Sequence, residues 1–306
     1  MIVYVNRQHV AGPWGGGNRT IKALHDVLIL NDHTPVYDIR EKFDVIYCHD
    51  PRPNDEGIRY EHLLWLKDNK GIPIFQRVGD VFFHRGQEYT DYLKETLKYS
   101  DKVSYITPWA AKFLEQEIDE NKHVVHMLRP PKSFYVDRKK RDDKKIRMLT
   151  HHWSTNPLKG FDFYLEIDKV LERYSNLEFF YLGRKPDDFK PKNIKVIEVK
   201  DEKGVIEELR SADLYVTASK FETGGNHIVE AMANSLPVLY HKDGGGICDL
   251  SLDNGYSYSN IEDFQVELSK MIKNIETKEN TFDKFEGTLE DVCLEYVKCM
   301  EDLVRN

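Results

Sequence analysis

The chain has 306 residues and carries 44 Lys and Arg against 52 Asp and Glu, which gives a formal net charge of −8. This charge argues against a nucleic-acid binder, because neutralising phosphates requires a basic face. Hydrophobic residues make up 40% and charged residues 31%, as in folded globular proteins, and a chain of this length is expected to form two domains.

The longest apolar runs have the length of strands, so no membrane-spanning helix is expected. Residues 1–7 have the pattern of a first strand and not that of a secretory leader. The four cysteines lack metal-ligand spacing and indicate free thiols of a reducing compartment, so a cytoplasmic location is expected.

The first half of the chain alternates predicted strands and helices. Strands are predicted at 2–5, 36–39, 44–48, 72–78, 102–106 and 124–128, and helices at about 18–30, 56–69, 88–99 and 108–117. Repeated strand–helix units of this length predict a parallel, doubly wound sheet.

A glycine-rich loop follows the first predicted strand. Gly15, Gly16 and Gly17 precede a helix start, and glycine lets the backbone approach a ligand closely. Their spacing does not fit the Gly-x-Gly-x-x-Gly pattern of dinucleotide binding. We predict that this loop contacts the phosphate side of a ligand.

Two prolines at 130 and 131, followed by the charged run 138–145, mark a predicted boundary. We therefore expect a first domain at 1–143 and a second at 144–287. The charged run is interpreted as a solvated hinge, with contact to an anionic lipid or acceptor as the alternative. A final amphipathic helix, within 288–306, is expected to pack back on the first domain, with packing in the second domain or a dimer contact as alternatives.

The second domain repeats the alternation and contains the most informative segment of the chain. Strands are predicted at 212–218 and 235–240, and the segment between them places Glu222 and Glu230 on either side of a Gly-Gly turn and a helix start. Such a turn directs free N–H groups and the positive end of a helix at one place, which suits a phosphate. The two carboxylates would flank that anion and accept hydrogen bonds from sugar hydroxyls.

This segment resembles the donor-binding motif of the retaining GT-B glycosyltransferases of the family 4 type. The family frame is E-x-x-G-x-x-x-x-E-A-M-A, followed by G-x-P-V and a Gly-Gly loop. The matching residues are Glu222, Gly225, Glu230, Ala231, Met232, Ala233, Pro237, Val238, Gly244 and Gly245. Ser235 departs from the frame, where the family has glycine. The resemblance implies an α/β GT-B fold of two doubly wound, Rossmann-like domains that face each other across a cleft.

The resemblance also implies the reaction, which is transfer of a hexosyl group from a UDP- or GDP-linked sugar, with retention, to a glycan, lipid or small-molecule hydroxyl. Glu230 would hold the nucleotide ribose. Gly225, Asn226 and His227 would meet the distal phosphate and the sugar. Glu222 would bind sugar hydroxyls and stabilise positive charge at the anomeric carbon.

Lys159-Gly160 resembles the family's K-G pair, whose lysine neutralises the donor diphosphate. The family places an arginine five residues earlier, where this chain has Ser154. The missing charge would be replaced by hydrogen bonding from Ser154, or by His151, His152 or Arg184.

The resemblance further suggests that the strand end at 76–80 faces the sugar. Asp80 is the candidate catalytic residue there, with His84 beside it and Arg77 as an anion contact, and an ordinary loop is the alternative. The chain contains no Asp-x-Asp clamp and no zinc ligand set, so no metal or other cofactor is expected. A sugar-nucleotide epimerase and a non-catalytic nucleotide-sugar-binding subunit are the alternative functions, the second because of Ser154.

Overall fold

The computed structural model describes residues 1–12, 15–119, 121–139, 141, 144–277 and 285–305. The chain divides into two compact units, one formed by Met1–Pro131 with Gly287–Asn306 and the other by Lys132–Glu286. The expected boundary between residues 143 and 144 thus lies inside the second unit. Among the described residues, no helix combines the length and the apolar character that a membrane span requires.

The helices are α1 (Gly16–Leu30), α2 (Tyr60–Lys70), α3 (Gln87–Tyr99), α4 (Pro108–Phe113), α5 (Phe161–Leu171), α6 (Glu202–Arg210), α7 (Asn226–Ala233), α8 (Gly246–Ser251), α9 (Ile261–Thr277) and α10 (Leu289–Arg305). The strands are β1 (Ile2–Val5), β2 (Thr34–Val36), β3 (Val45–Cys48), β4 (Ile74–Val78), β5 (Lys102–Tyr105), β6 (His123–Val125), β7 (Ile146–His152), β8 (Leu177–Gly183), β9 (Lys195–Ile197), β10 (Leu214–Thr217), β11 (Val238–His241) and β12 (Gly255–Tyr258).

The first unit is a parallel sheet in the order β2-β1-β3-β4-β5-β6, with helices packed against it. Helix α1 presents Leu24 and Leu28 to the core because residues four apart lie on one helical face. Tyr296 and Met300 of α10 join the same buried cluster. Full burial of each such side chain contributes about 1.5–3 kcal/mol, so the last helix is an integral part of the first unit.

Helix α4 is shorter than the sequence predicts. It begins at Pro108, where Thr107 accepts a hydrogen bond from the Ala110 N–H, and it ends at Phe113. Glu115 has φ 58°, a left-handed conformation that an α-helix does not contain. The predicted continuation to residue 117 is therefore wrong.

The second unit is also a parallel sheet, in the order β12-β11-β10-β7-β8-β9. The chain runs outward from β7 in one direction through β8 and β9, and in the other through β10, β11 and β12. Strands β7 and β10 therefore form a topological switch point, and open parallel sheets bind ligands at the carboxyl ends of such strands.

The charged run after residue 137 is tied to the second unit by ion pairs. Arg138 Nη2 lies 2.8 Å from Asp213 Oδ1, and Arg141 Nη2 lies 2.6 Å from Asp213 Oδ2. Lys145 pairs with Glu178 at 3.0 Å. These three cations therefore have partners within the second unit.

Candidate active site

The switch point of the second unit brings together residues that are far apart in sequence. Strand β7 ends in His151 and His152, and β10 leads through the segment 218–225 into α7, which carries Glu230. Because β7 and β10 are parallel neighbours, their carboxyl ends lie at the same edge of the sheet. The candidate site is built at this edge.

Glu230 is buried and held by a histidine. His151 Nε2 lies 2.8 Å from Glu230 Oε2, and both side chains are only 2% exposed. On the other side of the ring, the Tyr215 hydroxyl lies 3.0 Å from His151 Nδ1 and accepts from the His151 N–H at 2.9 Å. The two ring nitrogens of His151 thus link the Glu230 carboxylate to the Tyr215 hydroxyl.

Two further histidines, His152 and His227, line the same edge. His227 Nε2 lies 3.1 Å from Thr217 Oγ1, and His152 Nε2 lies 2.9 Å from the Tyr164 hydroxyl. Burial lowers the pKa of both rings well below the ordinary value, and the positive charge of Lys159 lowers each further. The ring of His227, predicted to meet the phosphate and sugar, is thus turned into the protein.

These lowered pKa values predict acid sensitivity of the fold. Below pH of about 6.5 the unfolded chain binds protons that the buried rings do not, so stability falls by up to about 1.4 kcal/mol per histidine for each pH unit. Between pH 7.5 and pH 5.5, we expect the free energy of unfolding of His227→Gln, measured with urea, to fall by about 1 kcal/mol less than that of wild type. Equal losses in wild type and His227→Gln would contradict this explanation.

The loop after β7 positions Lys159 beside Glu222. Asn156 Oδ1 accepts from the Leu158 N–H at 3.0 Å and starts the short turn Pro157–Lys159. Gly160 then has φ +78°, and a Cβ there would lie 2.3 Å from the Ala218 carbonyl oxygen. Only glycine fits this approach, which fixes Lys159 so that its ammonium forms an ion pair with the Glu222 carboxylate.

Glu222 is fixed through its backbone. Its N–H donates to the Gly244 carbonyl at 3.2 Å, and its carbonyl accepts from the Gly246 N–H at 2.8 Å. The Gly-Gly loop that the sequence singled out is thus the strand-like partner of the Glu222 segment.

The amino terminus of α7 is open to a ligand's negative charge. Gly225 is the N-cap, no side chain caps it, and the first turn contains no acidic residue. Among the described residues, none accepts a hydrogen bond from the N–H groups of Asn226 or His227. A Cβ on Gly225 would lie 2.9 Å from Ile247 Cγ1, so this position also favours glycine.

Both departures from the family frame have a structural role. Ser154 is exposed, and its Oγ accepts from the Asn156 N–H at 3.1 Å within its own loop. Ser235 has φ 56°, a left-handed conformation that glycine adopts more readily. The backbone at this position therefore has a conformation that favours glycine.

The remaining predicted residues lie in the first unit. Gly15, Gly16 and Gly17 form the start of α1 and line a cavity of that unit. Asp80 Oδ1 accepts from the Phe82 N–H at 2.8 Å and lies 3.9 Å from His84 Nδ1.

Arg77, the predicted anion contact, is buried and 5% exposed. A Cβ on Gly79 would lie 1.9 Å from Arg77 Nη1, so the arginine is packed tightly against the backbone. This packing makes Arg77 a core residue of the first unit.

Sequence reasoning missed the role of Tyr215, and it considered His151 as a source of charge or as a packing or hydrogen-bonding residue without predicting its contact with Glu230. The one available signal was the pair of histidines at the end of a buried strand. Within the described part of the chain, no group of three or more His, Cys, Asp or Glu side chains is placed to hold a metal ion.

Residues 147–274, which make up most of the second unit, match the family described as "Glycosyl transferases group 1". This unit is a group 1 glycosyltransferase domain. This match supports a glycosyltransferase activity for the second unit, and the two parallel sheets have the architecture of the GT-B fold. The sequence has no significant match among curated proteins.

Solved structures support the same fold over the whole chain. HepE of Anabaena, solved with UDP and glucose, aligns with TM-score 0.65 at 13% identity over 99% of this chain and 97% of its own. The lipopolysaccharide outer core galactosyltransferase WaaB aligns with TM-score 0.64 at 14% identity, over 98% and 99%. Sucrose-phosphate synthase of Thermosynechococcus elongatus gives 0.64 at 12% identity, over 99% and 96%.

Proposed function

We propose that this glycosyltransferase moves a sugar from a UDP- or GDP-linked donor to an acceptor hydroxyl, with retention of the anomeric configuration and without a metal ion. The observation that carries the proposal is the arrangement at the switch point of the second unit. The Lys159–Glu222 pair and the buried Glu230 accompany an uncapped helix terminus there.

In this proposal Glu230 binds the ribose. A carboxylate accepts two hydroxyl hydrogen bonds at once, and such charge-assisted bonds are about twice as strong as neutral ones. His151 Nε2 contacts Glu230 Oε2 and holds the carboxylate in place.

The diphosphate is assigned to Lys159 and the start of α7. In the free protein the ammonium of Lys159 is neutralised by Glu222. A bound diphosphate brings more negative charge than one carboxylate, and the helix terminus adds about half a positive charge. The same groups stabilise the leaving nucleotide as the glycosidic bond breaks.

Glu222 is assigned to the sugar. Its backbone is anchored by Gly244 and Gly246, so the carboxylate remains in place when Lys159 turns toward the diphosphate. It would accept sugar hydroxyls and stabilise the charge that develops at the anomeric carbon. The proposal assigns no protein nucleophile.

The proposal predicts transfer without a divalent ion. The groups that replace the metal are permanent parts of the fold, so excess EDTA should lower the rate of nucleoside diphosphate release less than about tenfold, or 1.4 kcal/mol of barrier. Mg²⁺ added back to the chelated enzyme should change little. Complete loss on chelation with recovery by Mg²⁺ or Mn²⁺ would show that a metal holds the diphosphate.

Product analysis distinguishes the alternatives. A transferase forms a glycoside only when acceptor is present, whereas an epimerase changes the donor sugar without one. A binding subunit does neither, and donor binding with no turnover on any acceptor would contradict the proposal.

A further inference from the structure

The first unit contains a cavity of its own, at the start of α1 and beside the ends of β1 and β3. Its volume is about 720 Å³, and its lining includes Arg7, Arg52, Arg85, Asp50, Tyr89 and the glycines that begin α1. Small-molecule sites commonly have volumes of about 300–1,000 Å³, so the cavity is large enough for a ligand the size of a sugar phosphate.

The cavity is positively charged in an acidic protein. Its described lining contains three arginines and one carboxylate, whereas the chain as a whole has a net charge of −8. Like charges gathered in a concave site raise the local concentration of a ligand of opposite sign. Since their mutual repulsion does not favour folding, the clustered arginines point to a ligand.

Two of the arginines are held in fixed positions. Arg7 donates from Nη1 to the Pro53 carbonyl at 2.9 Å and from Nη2 to the Arg52 carbonyl at 2.6 Å. Arg52 Nε lies 3.0 Å from Asp50 Oδ1. A guanidinium has five N–H donors, so each retains donors for a ligand after these contacts.

Arg85 differs because it has no ion pair with any described residue. It is exposed at the end of the short turn Phe83–Arg85. The start of α1 adds to its charge, because Gly15 provides no side-chain cap and the first turn has no acidic residue. A free guanidinium and an uncapped helix terminus therefore line the same cavity.

We infer that this cavity binds the phosphate group of a phosphorylated acceptor. A phosphate monoester is a dianion and matches the excess of two positive charges, and arginine binds its oxygens in a bidentate manner. That the bound molecule is an acceptor rests on the proposed function, whereas binding of the anion does not depend on that function.

The same oxyanion chemistry could belong to the donor diphosphate, so the test must separate the two sources. Binding of inorganic phosphate is measured by calorimetry at low salt on the full chain, with and without saturating UDP. Wild type, Arg85→Gln and Arg40→Gln are compared. Arg40 is an exposed arginine of the same unit that does not line the cavity.

Phosphate should bind wild type and Arg40→Gln with affinities within about twofold of each other. It should bind Arg85→Gln at least tenfold more weakly, a change of about 1.4 kcal/mol. Bound UDP should leave phosphate binding intact. Melting temperatures of the three proteins should agree, since Arg85 is exposed.

No phosphate binding, or binding that Arg85→Gln does not weaken, would overturn the anion site. Displacement by UDP of the phosphate whose binding depends on Arg85 would assign the cavity to the donor and overturn the acceptor. If UDP fails to bind while phosphate binding still depends on Arg85, the donor proposal fails and the anion site stands.

Discussion

Replacing Lys159 with methionine should weaken UDP binding by about 1.5–3 kcal/mol, or roughly 10- to 150-fold. The variant removes the cation assigned to the diphosphate. It also leaves the Glu222 carboxylate without its partner, facing a ligand of the same sign. Calorimetry with UDP gives the value directly, and Lys203→Met, an exposed lysine of α6, is the matched control.

The double variant Lys159→Met with Glu222→Gln separates these two effects. If the unpaired carboxylate repels the diphosphate, the double variant should bind UDP more tightly than Lys159→Met alone. A double-mutant cycle measures this coupling. Unchanged UDP and GDP affinity in Lys159→Met would show that other groups hold the phosphates.

The second large effect separates the two glutamates. Glu230→Gln should weaken the binding of free UDP by about 2–3 kcal/mol, because a charged acceptor for the ribose hydroxyls becomes neutral. Glu222→Gln should leave UDP affinity unchanged or tighter, since Lys159 loses its competing partner. It should instead lower turnover about 100-fold, as expected when stabilisation of transition-state charge is lost.

The two variants control for each other, because each removes one carboxylate charge from the same site. Glu230 is 2% exposed, so the melting temperature of Glu230→Gln must show that the protein is folded. Weak UDP binding in Glu222→Gln with normal binding in Glu230→Gln would reverse the assignment of ribose and sugar.

The architecture was predictable because its signals are local. The expected strand at 212–218 and helix start after Gly225 correspond to β10 and α7, since short β-branched runs and glycine turns act over a few residues. The expected strand at 36–39 is found instead as Thr34–Val36, a short edge strand of the first unit. Such ends depend on neighbouring strands, and a single segment does not specify them.

The site was predictable in its residues but not in its contacts. Glu230 and Lys159 follow from the motif, whereas the His151–Glu230 and Lys159–Glu222 pairs join positions far apart in the chain. The pairing of β7 with β10 is what brings His151 and Glu230 together. The arginines that line the cavity of the first unit were not predicted for the same reason, since Arg7, Arg52 and Arg85 share no sequence motif.

We expect the second unit to bind a nucleotide through Glu230 and the enzyme to turn over the corresponding nucleotide sugar. The most direct measurement is release of nucleoside diphosphate from UDP-, GDP-, ADP- and dTDP-sugars with an acceptor panel, by wild type and Glu230→Gln. The account predicts turnover of at least one donor by wild type, with a KM for that donor at least tenfold higher in Glu230→Gln. Equal kinetics in the two proteins, or no release from any donor that binds, would contradict it.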